Sequence, residues 1–191
     1  PRDIIMCNWE YSLNMEKSST HFGQRRYSYR LPQYEKLGFK YLVCPALFDS
    51  RNIQSFTAYG NRFNPTGFLM TSWEKSKLYI YKDLLNVAFG GELWRAEKTA
   101  CASQTMDNII QDFFQIKEKA FINAVKTFLA FNRCTDRPDV AQHLRGSITP
   151  YEIERANNAE LMLSILSGYA EKIYGGIQKK VYDDIIIGIK R

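Results

Sequence analysis

Hydrophobic and polar positions follow two rhythms along this chain. From Ser103 onward, Met106, Ile109, Ile110, Phe113, Ala120, Phe121, Ala124, Val125, Phe128 and Leu129 recur at i, i+3 and i+4. That spacing puts one apolar stripe on an α-helix. It predicts a long amphipathic helix with Ser103 or Thr105 as its N-cap and residues 132–138 as its end. A short helical turn is expected over 139–144, closed by Gly146. The clearest start signal is Thr149-Pro150-Tyr151-Glu152. A capping Thr, a Pro at the first helical position and a Glu that reaches back satisfy the free amides of a first turn. The predicted helix carries Ile153, Leu161, Ile165, Leu166, Tyr169, Ala170 and Ile173 on one face and stops at Gly175-Gly176. Beyond it, Ile177, Val181 and Ile185 suit a third helix. The β-branched run Ile185-Ile186-Ile187-Gly188-Ile189 suits a strand equally. Either way, this apolar segment is expected to dock on the body or on a neighbouring subunit.

The first half has a shorter rhythm. Alternation at Ile5, Cys7, Trp9 and Tyr11 predicts a strand, and Phe39 to Leu47 a short buried one ended by Pro45. Pro32 and Gly38 break any long element between them. Residues 48–72 carry turn chemistry at Asp49-Ser50, Gly60-Asn61, Asn64-Pro65 and Gly67, and are expected to be loop. Trp73 to Val87 suits a strand first and a helix after. Gly90-Gly91 is expected to break the chain before a helix over 92–102, with Leu93, Ala96 and Ala100 on one face. The fold class is therefore α+β. It has a loop-rich N-terminal half with short strands and a helical C-terminal half, with two long amphipathic helices plus a terminal helix or strand. One domain over 1–191 is expected, with a subdomain junction near residue 103.

Composition changes this picture little. Of 191 residues, 45% are hydrophobic and 24% charged, which excludes wholesale disorder. Charge changes it more. The net formal charge is +6, and residues 1–103 hold 14 Lys/Arg against 9 Asp/Glu, while residues 104–191 hold 12 against 11. The positive excess belongs to the first half and favours anionic partners, nucleic acid before acidic membrane.

The candidate chemistry lies in that basic half, where aromatics and cations interleave. Arg25, Arg26, Arg30, Lys36 and Lys40 suit phosphate contacts, and Tyr27, Tyr29, Tyr34 and Phe39 suit base stacking. Arg62 and Phe63 extend the same surface. The competing reading is a solvated strand or loop whose aromatics point inward between outward charges. No metal site or cofactor is expected. Only His21 and His143 are present, neither with a ligand-spaced partner, and the cysteines at 7, 44, 101 and 134 form no CxxC. Those cysteines are expected to be reduced and mostly buried. Asp183-Asp184 are adjacent and are expected to diverge into solvent. No GxSxG or GxxxxGK[ST] pattern occurs, so no catalytic residue is assigned.

These readings favour a non-enzymatic structural or assembly protein that contacts nucleic acid, RNA rather than DNA. A coat, nucleoprotein or ribonucleoprotein-type subunit, as in a viral particle, fits that description. A homo-oligomer or a subunit of a larger assembly is expected. Two alternatives stay open: a protein-interaction or matrix-type subunit without nucleic acid, and a motif-poor enzyme such as a nuclease or transferase. With no signal-peptide pattern and no spanning apolar run, no membrane span and a cytoplasmic or particle-internal location are expected.

Overall fold

The computed structural model describes residues 3–10, 30–47, 49–72, 81–95, 101–130 and 150–190, and of 150–156 the backbone only. Three parallel strands in the order β1-β2-β3 form a small sheet: β1 (Ile5–Trp9), β2 (Lys40–Cys44) and β3 (Gly67–Phe68). Cα partners run from Ile5 with Lys40 to Trp9 with Cys44, and Leu42 and Val43 pair with Gly67 and Phe68. An isolated parallel bridge, Ala46 with Thr71, prolongs the second pairing. Parallel strands need crossovers, and helices α1 (Arg30–Leu37) and α2 (Ser50–Gly60) lie within them. The helical half follows: α3 (Leu84–Arg95), α4 (Ala102–Phe114), α5 (Lys119–Ala130), α6 (Pro150–Ser167) and α7 (Gly176–Ile189). The molecule is α+β with a helical C-terminal half, as its hydrophobic rhythm predicts.

Several local expectations are revised. The strand at the N-terminus exists, but its apolar alternation faces outward. Ile5 is 51% exposed and Trp9 40%, while Met6 and Asn8 turn toward α1 and α2. The stretch 48–72 is not all loop. Asp49 is the N-cap of α2, its carboxylate accepting from the Arg51 amide at 2.9 Å, and Ile53, Phe56 and Tyr59 give the helix its buried side. Ser, Asn, Thr and Gly among those apolar positions hide the period from composition. Pro32 lies inside α1, in its first turn, where no amide donor is missed, and Gly38 ends that helix with φ 72°.

Gly90-Gly91 does not break the chain either. Both glycines lie inside α3, and a Cβ on Gly90 would run into the Met70 methyl and sit 3.6 Å from Ile53. Close packing of α3 on α2 outweighs the helix penalty of glycine, about 1 kcal/mol. The long helix expected after Ser103 is two. Gln115 adopts a left-handed conformation (φ 57°) between α4 and α5, and the N-cap is Cys101, not Ser103 or Thr105. Helix α6 begins at Pro150 as predicted but ends at Ser167. Tyr169 therefore lies outside it, Ala170 opens a 3₁₀ turn, and Ile173 follows that turn. The terminal isoleucines are helical, with Val181, Ile185 and Ile189 buried at i, i+4 spacing on the body of the protein. The turn expected over 139–144 lies outside the described residues.

Among the described residues, two hydrophobic clusters result. The larger unites Met106, Ile110, Phe114, Phe121, Val125, Leu166, Val181 and Ile185, and it also draws Ile53, Leu85 and Phe89 from before residue 103. The smaller, between the sheet and its crossover helices, is Leu31, Tyr41, Val43, Phe56 and Tyr59. Helix α2 serves both, with Ile53 in one cluster and Phe56 and Tyr59 in the other. Among the described residues, no helix is long and apolar enough to cross a membrane.

Candidate functional site

The parallel sheet gives the molecule two ends, and the predicted cations divide between them. Helix α1 ends beside the start of β2, and α2 runs back to end beside the start of β3. Lys36, Lys40, Arg62 and Phe63 therefore all come to the amino end of the sheet. The loop that holds them is tied down. The Asn64 amide donates to Glu35 Oε1 at 3.2 Å, the Thr66 amide to the Tyr41 carbonyl at 2.8 Å, and the Arg62 amide to the Tyr59 carbonyl at 3.1 Å. Lys36, Lys40 and Arg62 are exposed, and the Arg62 guanidinium lies 5.3 Å over the Tyr59 ring. Glu35 is the acid among them. Phe63 is half-buried and meets Tyr59 edge-on at 5.2 Å, so much of its surface is spent on packing. Tyr34 and Phe39 are half-buried too, Tyr34 tilted against Tyr41 with centroids 5.8 Å apart. Burial, and after it Glu35, pushes the Tyr41 phenol up from its usual value.

Arg30 opens α1 at the opposite end of the helix from Lys36, about 9 Å away along the axis. It is half-buried and has a partner. Arg25, Arg26, Tyr27 and Tyr29 lie outside the described residues, as do His21 and His143.

The carboxyl end of the sheet holds a polar set that the sequence reading missed. Asn52 is fully buried in the first turn of α2. Its Oδ1 accepts from the Ala46 amide at 2.8 Å, and its Nδ2 donates to the Glu10 carbonyl at 3.0 Å, tying the segments after β1 and β2 together. Beside it, Arg51 grips buried Asp49 through Nε at 3.2 Å and a terminal nitrogen at 3.0 Å. Burial pushes the Asp49 carboxyl up and Arg51 pulls it back, with burial the larger effect. Asn86 on α3 donates to the Leu47 carbonyl at 2.8 Å, and among the described residues its buried Oδ1 has no partner. The one readable signal here is Asp49, a helix cap mistaken for a turn residue.

The acidic pair splits, contrary to expectation. Asp183 is half-exposed and salt-bridged to Lys179. Asp184 is buried and accepts from the Tyr81 and Lys82 amides at 2.9 and 3.3 Å, ahead of α3. Packing of α7 against that turn takes it out of solvent. Next to it, Lys82 and Asp83 form a buried ion pair at 2.6 Å.

The cysteines also depart from expectation, since Cys7 and Cys101 are exposed and only Cys44 of the described three is buried. Cys7 pairs in register with Leu42 and Cys44 with Trp9, so the two thiols share one sheet face as diagonal neighbours on adjacent strands. The Cys44 thiol reaches the Leu42 carbonyl at 3.7 Å. Burial first, and then Cys7, pushes it up to about 12. Among the described residues, no group of three or more His, Cys, Asp or Glu is placed to hold a metal ion.

No family model, no curated protein and no solved structure matches this chain.

Proposed function

We propose that this chain is a non-enzymatic structural or assembly subunit that contacts nucleic acid, single-stranded RNA rather than DNA, at the amino end of its parallel sheet. The observation that carries this reading is the gathering of Lys36, Lys40 and Arg62, distant in sequence, at one exposed end. Three cations at one edge suit a flexible phosphate backbone, which can bend to meet them, more than a rigid groove. Exposed Leu161 and Tyr174 on the helical half support the assembly part, as apolar area for a neighbouring copy.

The test is fluorescence anisotropy of labelled single-stranded RNA and DNA across a salt series. Three phosphate contacts give a slope of about −2 in log affinity against log salt for a single strand. The triple variant K36Q/K40Q/R62Q should flatten that slope to near zero while melting like the parent. No RNA binding at low salt, or an unchanged slope in the variant, overturns the reading.

A second reading, a motif-poor enzyme, draws on the buried polar set at the carboxyl end, where parallel sheets commonly place ligands. A metal-dependent nuclease and transferase screen that stays negative removes it.

A further inference from the structure

Cys7 and Cys44 stand far apart in sequence, and the register of β1 on β2 makes them neighbours. Both side chains stand on one sheet face, two residues apart along the strands. A metal ion can bridge two such thiols. Two metal–sulfur bonds of about 2.3 Å in line hold sulfurs about 4.6 Å apart.

The kind of ion follows from the donors. Both are soft, and a soft ion content with two thiolates is served well, Cu(I) being the type case. The surroundings agree. Cys7 is open to solvent and gives the ion its entry, while Cys44 is fully buried and holds the inner end. Lys40 is exposed on the same face, two positions before Leu42, and offsets the single negative charge of a bis-thiolate Cu(I) centre. We infer that Cys7 and Cys44 form a two-coordinate site for a soft monovalent cation of the Cu(I) class. Loading exchanges one Cu(I) for two protons, one from each thiol, with no change of oxidation state.

The experiment is an anaerobic titration of the reduced full chain with Cu(I), in competition with a chromophoric Cu(I) chelator. The parent and the C101S/C134S variant should each withdraw one equivalent. C7S and C44S should each weaken that uptake by more than about 100-fold, since even the loss of an outer-shell partner costs about 10- to 100-fold. X-ray absorption of the loaded protein should show a shell of two sulfurs. Cys7 is exposed, so C7S is expected to keep the parent's melting temperature and stands as the deciding variant if C44S fails to fold. Uptake by C7S equal to the parent's overturns the site, as does a parent that takes no Cu(I) from the chelator. These outcomes are independent of RNA binding, which is read with metal-free protein.

Discussion

The helical half surrounds Phe114, Phe121, Val125, Leu166 and Ile185 with apolar neighbours drawn from helices α3 to α7. Among the described residues, the sheet half gathers a cluster of only five buried side chains, and beside them buries Asn8, Glu10, Asp49 and Asn52. One region is held by volume, the other by a smaller core plus hydrogen bonds that few other side chains could make. Redundant packing tolerates loss at its edges and fails at its centre. A polar tie fails wherever one partner is lost, because the remaining group stays buried without an acceptor or donor. The ways in which the two regions can be broken should therefore differ.

The largest effect is expected at the centre of the helical core. Phe121 is fully buried, edge-on to Phe114 at 5.2 Å and tilted on Tyr169 at 5.1 Å. Phe121→Ala should cost about 3–5 kcal/mol in urea unfolding, through lost transfer energy and the cavity left behind. Leu31→Ala, in the small cluster, should cost about 2–3 kcal/mol. Equal costs at the two positions would erase the distinction between the regions.

Next comes the polar tie. Asn52→Leu keeps a similar volume but strips the Ala46 amide and the Glu10 carbonyl of their partners. Each orphaned group costs about 1–3 kcal/mol, so a loss of about 3 kcal/mol is expected for a change that looks conservative by size. Faster hydrogen exchange at Ala46, with helices α4 and α5 still protected, would locate the damage in the sheet half. A loss below 1 kcal/mol would mean that packing rather than hydrogen bonding holds this end.

The same contrast explains what could be read from the chain. The helical half was legible because its packing is its pattern. Met106, Ile110, Phe121 and Val125 show their spacing directly, and Pro150 marks a start. What stayed hidden there was local, such as the left-handed turn at Gln115 that divides α4 from α5. In the sheet half, both major strands were visible but their faces were not. Ile5, Cys7 and Trp9 alternate as buried positions would, yet Met6 and Asn8 turn inward, since the crossover helices lie on that side. Asn52 gave no signal, because a buried Asn and a loop Asn look alike until the strand ends it joins are known. The Cys7–Cys44 pairing depends on strand register, which no spacing within either strand contains. Of the predicted cations, the structure brings Lys36, Lys40 and Arg62 to one end through the topology of two crossovers, which sequence spacing does not encode.

A smaller effect separates buried charge from buried amide. Burial raises Asp49 above its usual 3.8, so the folded chain holds that proton more tightly than the unfolded chain does. The stability this gives is full below about 3.8 and is lost as pH rises through the raised value. Asp49→Asn keeps a capping oxygen but cannot titrate. Its unfolding free energy should therefore decline less across that window than the parent's. Parallel curves for parent and variant would assign the titration to another group.

The smallest effect concerns the adjoining glycines of α3, which differ in what surrounds them. Gly90 is buried against Ile53, Trp94 and the Met70 methyl, whereas a Cβ on Gly91 meets nothing within 4 Å. Gly91→Ala adds a better helix former at an exposed position and narrows the unfolded ensemble, with no contact to disturb. It should therefore stabilise by about 0.5–1 kcal/mol. Gly90→Ala draws the same helical benefit but must displace Met70, whose flexible side chain gives way at some loss of packing, so it should come out near neutral or slightly destabilising. The sign difference between adjacent, chemically identical substitutions is the informative quantity. If both stabilise, α2 and α3 are packed more loosely than the contact at Gly90 implies. If both destabilise, the helix does not continue through the pair, and the two halves of the molecule meet at a break rather than along a continuous helix.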